Sequence, residues 1–401
     1  MFTLDDLDFL ASDKGVRVLE WLAHEDISDT HKIRVLTSLR KELTMSQAAA
    51  TLETAILRKK AVDKFGVDAA KMFFTREALE QASDPQIRLY RTMLLFNESE
   101  RTFGTIIDAG CSIGSDAIAF ARRSKGYRVV GLDIDPVRVW MAEMNAIALG
   151  VVNAVFRVAD VREGIPDADF VFFDPARRTE EGKRVFNVER YEPPLSIIQQ
   201  WTHISRMAIK LAPGVDLEQL APYGGSVEFI SVEGDLKEAV LWRGLRWHGA
   251  RATLIRGGIA HHLQQHENRA AEIGAPRAWL CEPDPSVLRA GLVQGVAANL
   301  AGTMLDETIA YFTTATKPQG EWAVWVRAWK ILDWMPFNLK KLISYLRMQG
   351  VGHVTIKKRG VPMTPDELLP RMKLEGDESR TLVLTRYKGA SIVMICEDYN
   401  Q

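Results

Sequence analysis

The stretch Thr105-Ile-Ile-Asp-Ala-Gly-Cys-Ser-Ile-Gly114 decides the fold of this chain. An apolar run ends in Asp108, a glycine turn follows, and Asp116 to Arg123 reads as a helix. Strand, tight turn and helix are the opening unit of a nucleotide-binding α/β domain. Glycine at 110 and 114 lets the backbone turn sharply and approach a ligand closely, because no Cβ stands in the way. The dinucleotide fingerprint G-x-G-x-x-G is not met. Counted from Gly110, Ser112 stands at its middle glycine and Ser115 at its last.

The next apolar run, Arg128-Val-Val-Gly-Leu-Asp133, ends in a second acid. A carboxylate there can hold both hydroxyls of a ribose. Acids at the ends of adjacent strands suit a neutral or cationic nucleoside better than a pyrophosphate. They point to a sulfonium, S-adenosylmethionine, rather than to NAD. Candidate strands Thr105–Ala109, Arg128–Asp133, Ala154–Val158, Asp169–Asp174 and Met207–Leu211 alternate with helical runs. One such helix is Pro136 to Leu149, with Pro136 at a favourable first position. The alternation predicts a doubly wound parallel sheet. Val227–Val232 and Glu238–Trp242 read as antiparallel strands closing its edge.

Asp160 follows the third strand and can accept the exocyclic N–H of adenine; it can equally cap a helix. The fourth strand runs into Asp174-Pro-Ala-Arg-Arg178. Methyl transfer from a sulfonium is an in-line displacement that needs orientation and exclusion of water more than a strong base. Asp174, followed by Pro175, can aim a carboxylate and a backbone carbonyl at the N–H groups of an acceptor. Arg177 and Arg178 are forked cations, suited to a phosphate or a stacked base, or to surface pairs with Glu180 and Glu181.

At 401 residues the chain has room for two or three domains. Its 47% apolar and 26% charged residues are those of a globular protein with ample core. A formal net charge of −1 excludes a polycation, so any nucleic-acid contact must come from a local patch. Cys111, Cys281 and Cys396 are scattered. They fit neither a disulfide framework nor a thiolate metal cluster, and they suggest a reducing compartment. The start Met1-Phe-Thr-Leu-Asp-Asp is acidic and unlike a signal peptide. The longest uncharged stretch, Ala290 to Leu305, is too short and polar to span a bilayer. A cytoplasmic location without membrane contact is expected.

Residues 1–98 read as helical, from the spacing of Val18, Trp21 and Leu22 and of Ile33, Leu36 and Leu39. Arg58, Lys59, Lys60 and Lys64 make one helix basic, as a solvated face or for phosphates. Residues 256–275 read as a linker or surface segment, with His261, His262 and His266 on a polar helix rather than around a metal. Beyond it come a helix near Pro285 to Leu305 and Trp322, Trp325 and Trp329, which read as core. The run from Asn338 to Gly360 carries Lys340, Lys341, Arg347, Lys357, Lys358 and Arg359 and no acid. A helix over Leu339–Met348 and a strand over His353–Lys357 would bring several of these cations to one edge, as a nucleic-acid surface does.

Several segments carry a family resemblance. They are Leu57-Arg-Lys-Lys-Ala-Val-Asp-Lys-Phe65, Met72-Phe-Phe-Thr75, Leu79-Glu-Gln-Ala-Ser83 and Phe173-Asp-Pro-Ala-Arg-Arg178. Two more are Cys281-Glu-Pro-Asp-Pro-Ser-Val-Leu-Arg-Ala-Gly-Leu-Val293 and Gly352-His-Val-Thr-Ile-Lys-Lys-Arg-Gly360. With the Asp108 turn, they make the chain resemble a bacterial and archaeal group of class I S-adenosylmethionine-dependent methyltransferases with a C-terminal THUMP-like domain. The resemblance implies a Rossmann-like, seven-stranded methyltransferase sheet in an α/β fold. It implies Asp108, Gly110, Asp133 and Asp160 at cofactor positions. It places Asp174 and Pro175 where amine methyltransferases carry an Asn/Asp-Pro-Pro-aromatic motif. Ala176 and Arg177 depart from that motif, and Ser112 departs from the usual glycine. THUMP domains bind RNA in tRNA-modifying enzymes, so the tail implies structured RNA.

The expected organisation is an N-terminal helical domain over 1–98, a methyltransferase domain over 99–270 and an α+β THUMP-like region over 271–401. Cofactor contact is expected at Asp108, Gly110, Cys111, Gly114, Asp133, Ile134, Asp160 and Val161. Asp174, Pro175 and Arg177 are the expected catalytic residues. Arg178, Lys357, Lys358 and Arg359 are expected to touch substrate, with no metal involved. The N-terminal helices would lid the site, with Arg76 or Gln81 near it. The resulting function is S-adenosylmethionine-dependent methylation of structured RNA, tRNA or rRNA. The rivals are a methyltransferase for a protein or small molecule, and a non-catalytic RNA-binding protein on the same scaffold. The missing glycine fingerprint disfavours a nicotinamide oxidoreductase.

Overall fold

The computed structural model describes residues 2–97, 104–177, 185–245, 247–264 and 271–398. The chain forms two compact units, Met1–Glu228 with Lys237–Gly249, and Phe229–Leu236 with Ala250–Gln401.

The first unit begins with helices α1 (Leu4–Ala11), α2 (Asp13–His24), α3 (Lys32–Leu39), α4 (Met45–Phe65), α5 (Arg76–Gln81) and α6 (Pro85–Asn97). Local chemistry sets several of their starts. Thr3 and Asp6 form a capping box on α1, and Thr44 and Gln47 form one on α4. Helix α4 runs through the middle of the cluster, burying Ala48, Leu52, Ala55 and Leu57 among Leu7, Leu10, Leu19 and Leu22. Three of the cations read as a basic face are held locally. Arg58 donates to the Met72 carbonyl, Lys59 to that of Glu25, and Lys64 to those of Leu79, Glu80 and Ala82.

The α/β part follows as β1 (Gly104–Ala109), α7 (Ser115–Arg123), β2 (Tyr127–Asp133), α8 (Pro136–Ala148), β3 (Ala154–Val158), β4 (Phe170–Phe173), β5 (Met207–Leu211), β6 (Ser226–Val232) and β7 (Asp235–Arg243). Their order across the sheet is β3-β2-β1-β4-β5-β7-β6. Strands β1 to β5 pair in parallel, and β7 is antiparallel to β5. Every residue of β4 and β5 is buried, as expected of central parallel strands covered on both faces. The helical cluster reaches the sheet through Ile113 and Met141. Buried Asn145 of α8 fastens it: its Oδ1 accepts the Phe73 N–H at 2.7 Å, and its amide donates to the carbonyls of Phe73 and Ile113.

The second unit holds β8 (Ala250–Arg256), β9 (Ile259–Gln264), β10 (Trp279–Pro283), α9 (Pro285–Arg289), α10 (Val293–Asn299), β11 (Thr303–Asp306) and β12 (Ile309–Thr314). It ends with β13 (Val326–Pro336), α11 (Leu339–Met348), β14 (Val351–Lys358), α12 (Pro365–Met372), β15 (Glu378–Tyr387) and β16 (Ala390–Glu397). Its main sheet runs β11-β12-β10-β13-β16-β15-β14. Helix α12 carries the crossover from β14 to its parallel partner β15, and α11 and α12 cover a core of Leu342, Leu346, Leu368, Leu382 and Val393.

Two sequence expectations are corrected. Residues 259–264 are a strand paired antiparallel with β8, not a linker or helix, so His261 and His262 alternate along a strand. His266 lies outside the described residues. The helix read over Pro285 to Leu305 is broken at Gly291, whose φ of +73° a helix cannot accommodate, and its last residues form β11. Among the described residues no helix is long and apolar enough to cross a membrane. No group of three or more His, Cys, Asp or Glu among them is placed to hold a metal ion.

Asn145→Ala would leave the Phe73 and Ile113 backbone groups buried without partners. Urea unfolding should show a loss of about 1–3 kcal/mol, and an unchanged midpoint would mean that the helical cluster is held elsewhere.

Candidate active site

The strand ends converge on the glycine turn. The N–H groups of Gly110 and Cys111 both donate to the Leu132 carbonyl, at 2.8 and 2.9 Å, which binds the turn to the end of β2. Gly110 sits at φ +80°, and a Cβ there would lie 2.8 Å from the Asp174 carbonyl oxygen. Gly114 sits at φ +79°, where a Cβ would press on Ala142 and Phe156 at 3.0 Å. Ser112 takes φ +50° despite its side chain; its N–H donates to Asp133 Oδ2 at 2.8 Å. Its Oγ is buried without a hydrogen-bond partner. Asp133 Oδ1 accepts the Asp135 N–H at 3.0 Å, so the carboxylate is fixed by two amides and keeps lone pairs to spare. Burial nevertheless pushes the Asp133 carboxyl up, against the pull of those amides. Cys111 is buried beside it, and Ile134 is exposed next in the chain.

Asp108 is buried and accepts the Ala117 N–H at 2.9 Å. Burial, then the neighbouring Asp116 and Asp174, push its carboxyl well above the ordinary range. Asp160 reaches the same sheet end, because the Ala159 N–H donates to the Asp133 carbonyl. There Asp160 caps the single turn Val161–Glu163 and pairs with Arg162 at 2.7 Å, while Val161 is buried.

Asp174 leaves β4 with its N–H on the Ala109 carbonyl, 3.1 Å away. Its carboxylate pairs with Lys210 Nζ of β5 at 2.7 Å and lies 3.5 Å from Arg177 Nη2. Arg177 also donates to the Leu211 carbonyl at 2.8 Å, so it turns inward. Burial pushes the Asp174 carboxyl up, but Lys210 and Arg177 outweigh it and hold the group below its ordinary value. Lys210, only 4% exposed, also donates to Ser83 Oγ at 3.2 Å. Ser83 reaches Asp116 at 3.4 Å, and Asp116 pairs with Arg91 at 2.5 Å. Arg91, fully buried, pairs also with Glu238 and lies over the Phe172 ring. One polar chain thus runs from β7 through α6 and α7 to the end of β4.

Sequence reasoning missed Lys210 and Arg91. Their signal was a cation inside an apolar run, Met207-Ala-Ile-Lys-Leu211 and Leu89-Tyr-Arg-Thr-Met93. Arg76 and Gln81 are engaged locally, with Glu53 and Glu77. Arg178 lies outside the described residues. In the second unit, Lys357 pairs with Glu282 at 3.0 Å and Arg359 lies 3.9 Å from the same carboxylate. Among the described residues, Lys358 reaches only the Pro362 carbonyl, at 3.5 Å. Lys340, Lys341 and Lys358 are exposed.

Comparison with known proteins gives the family. An uncharacterized S-adenosylmethionine-dependent methyltransferase of Mycobacterium tuberculosis is 33% identical over 352 residues, 85% of this chain and 93% of that protein. The chain belongs to the S-adenosylmethionine-dependent methyltransferases. An uncharacterized RNA methyltransferase of Streptococcus pyogenes is 27% identical over 210 residues, 45% of this chain and 46% of that protein. The crystal structure of a methyltransferase candidate from Porphyromonas gingivalis shares the fold, with a TM-score of 0.75 and 19% identity over 96% of this chain and 98% of that one. The THUMP domain-like family matches residues 326–398, and a Domain of unknown function (DUF8688) matches residues 3–61.

The turn suits the methyltransferase cofactor. Ser112 Oγ is a buried hydroxyl without a hydrogen-bond partner, and Asp108 and Asp133 are buried acids at adjacent strand ends, a setting that suits a cation better than a pyrophosphate. Asp133→Ala should weaken S-adenosylmethionine binding by about 1.5–3 kcal/mol, the scale for charged hydrogen bonds. Calorimetry reads it directly, and an unchanged affinity would remove Asp133 from the cofactor site.

Proposed function

We propose that this methyltransferase acts on structured RNA, tRNA or rRNA, with Asp174 orienting the acceptor. The observation that carries the mechanism is the Asp174 carboxyl, paired with Lys210 at 2.7 Å and 3.5 Å from Arg177, with its own carbonyl packed against Gly110. S-adenosylmethionine supplies an electrophilic methyl group. Asp133 accepts the ribose hydroxyls through its free lone pairs, with Gly110, Cys111, Gly114 and Ile134 shaping the wall around it. Asp160 and Val161 border the adenine end, where the Arg162 pair restrains the Asp160 carboxylate. Asp174 accepts an N–H of the acceptor and so sets the line of attack. Pro175 fixes the backbone behind it. Lys210 and Arg177 are positioning residues that keep the carboxylate ionised.

Asp108 has a separate electrostatic role. Arg91 favours its carboxylate form without outweighing burial and the neighbouring acids, and no ion pair to it is formed among the described residues, so a cationic ligand beside it stabilises that form further. The unfolded chain loses this proton first. The buried acid therefore costs stability as pH rises from the ordinary carboxylate range to its own raised value. Asp108→Asn should raise the melting temperature of the ligand-free protein near neutral pH. It should also reduce the rise in cofactor affinity with pH that this role predicts for the wild type. A lower melting temperature with unchanged pH dependence would contradict this role.

RNA as substrate is supported by the THUMP domain-like match, by the RNA methyltransferase relative and by the exposed cations Lys340, Lys341 and Lys358. Binding of a tRNA pool should weaken as salt rises, because neutralised phosphates release counterions. Replacing those three lysines by alanine should flatten the salt slope. Labelled methyl groups should enter RNA from cells lacking the gene and not the protein or small-molecule fraction. Label in protein alone would favour a protein methyltransferase.

Asp174→Ala should lower kcat by about 10²-fold, the scale of lost positioning, with cofactor affinity retained. Lys210→Met should raise the Asp174 pKa, because the favourable cation is gone. Activity would then be lost at a higher pH on acidification. An acid limb that stays in place would reduce Lys210 to a structural role.

A further inference from the structure

The second unit holds a pocket of about 230 Å³. Four cations line it, Arg256 at the end of β8, Arg327 on β13, Lys357 on β14 and Arg359 just beyond. Glu282 and Asp284 stand among them. Like charges gathered from separate elements repel unless anions answer them. Glu282 answers Lys357 and, at 3.9 Å, part of Arg359. Among the described residues, Arg256 and Arg327 donate only to neutral backbone carbonyls, those of Val324 at 3.0 Å and Glu233 at 3.4 Å. Arg359 Nη1 is buried with no partner.

The opposite need lies in the same pocket. Asp284 is 6% exposed. Its Oδ1 takes the Ser286 N–H at 2.9 Å and the hydroxyls of Ser231 and Ser286 at 2.5 and 2.6 Å. Its Oδ2 is buried without a partner. A buried guanidinium nitrogen and a buried carboxylate oxygen left open together are costly in an empty site and useful to a ligand. That ligand must bring an anionic acceptor and an N–H donor. Backbone choice keeps the pocket open. Gly234, at φ +87° in the turn between β6 and β7, has Arg327 packed where a Cβ would stand.

We propose that this pocket binds one nucleotide of the substrate, its phosphate on Arg256, Arg327 and Arg359 and an amino group of its base on Asp284. The proposal rests on the RNA reading for its substrate. The chemistry is that of a phosphate ester on a nucleotide with an amino-bearing base. Four cations against two acids leave an excess that such a phosphate offsets. The volume is below the roughly 300–1,000 Å³ of drug-sized sites, which suits a single nucleotide and not a duplex. The pocket selects, while the exposed lysines supply non-selective attraction.

Calorimetry on the full chain tests this, with the cofactor site filled by S-adenosylhomocysteine. The probes are inorganic phosphate, cytidine 5′-monophosphate and uridine 5′-monophosphate. The two nucleotides differ by an amino group against a carbonyl. The cytidine nucleotide should bind about 10-fold or more tightly than either other probe, the scale of a charged hydrogen bond. Arg359→Gln and, independently, Arg327→Gln should weaken all three by about 10-fold. Asp284→Asn should level cytidine with uridine and leave phosphate unchanged. Equal affinity for the three probes, or affinities untouched by these substitutions, would overturn the proposal. RNA binding by a protein that ignores both nucleotides would overturn the pocket and leave the RNA reading. Nucleotide binding without RNA binding would keep the pocket and sink the RNA reading.

Discussion

The buried charge chain Glu238–Arg91–Asp116–Ser83–Lys210–Asp174 is the constraint on which the first unit depends. Taking such charges out of water costs several kcal/mol per ion, and only close pairing offsets it. The pairs must therefore close together, and that requires α6, α7, β4, β5 and β7 to be in place at once. Removing one member strands its partner, a loss of about 3–5 kcal/mol. Apolar packing could hold these elements as firmly. It could not hold a carboxylate ionised at the end of β4, beside the turn where the cofactor is expected.

The glycine turn meets that carboxylate through backbone rather than side chains. Gly110 is close enough to the Asp174 carbonyl that a Cβ would force the two apart. The turn is held by the Leu132 carbonyl on one side and by Asn145, through Ile113, on the other. Ser112 shows how a side chain is tolerated where a glycine is usual. Its strained φ is supported by the hydrogen bond from its N–H to Asp133, and its hydroxyl is left unused. The result is two kinds of acid within one site. Asp108 is pushed up by burial and neighbouring acids, and Asp174 is held down by cations. Groups driven apart in this way can take different tasks at one pH.

The parallel sheet was legible because each strand is an apolar run that stops at an acid or a turn. The strands Ala154–Val158 and Met207–Leu211 occur as read. Asp108, Asp133 and Asp174 stand at strand ends for the same reason. Lys210 was not legible. Its role depends on a partner 36 residues away, and nothing in local periodicity distinguishes a paired buried lysine from a strand-edge one. The strand Ile259–Gln264 was hidden too, because the spacing of His262 and His266 suits a helix face and only pairing with β8 decides otherwise. The cations of the C-terminal run were visible as a group. Their division into exposed lysines and residues held by Glu282 was not, since Glu282 lies on a different strand.

The mechanism requires Asp174 to be a carboxylate held ionised by Lys210. The most direct measurement is the titration of the Asp174 side-chain carboxyl by NMR of 13C-aspartate-labelled protein, with Asp174→Asn for assignment. The group should remain ionised as pH falls through the ordinary carboxylate range and protonate only below it. A carboxyl that takes up its proton at or above the ordinary range would contradict this mechanism.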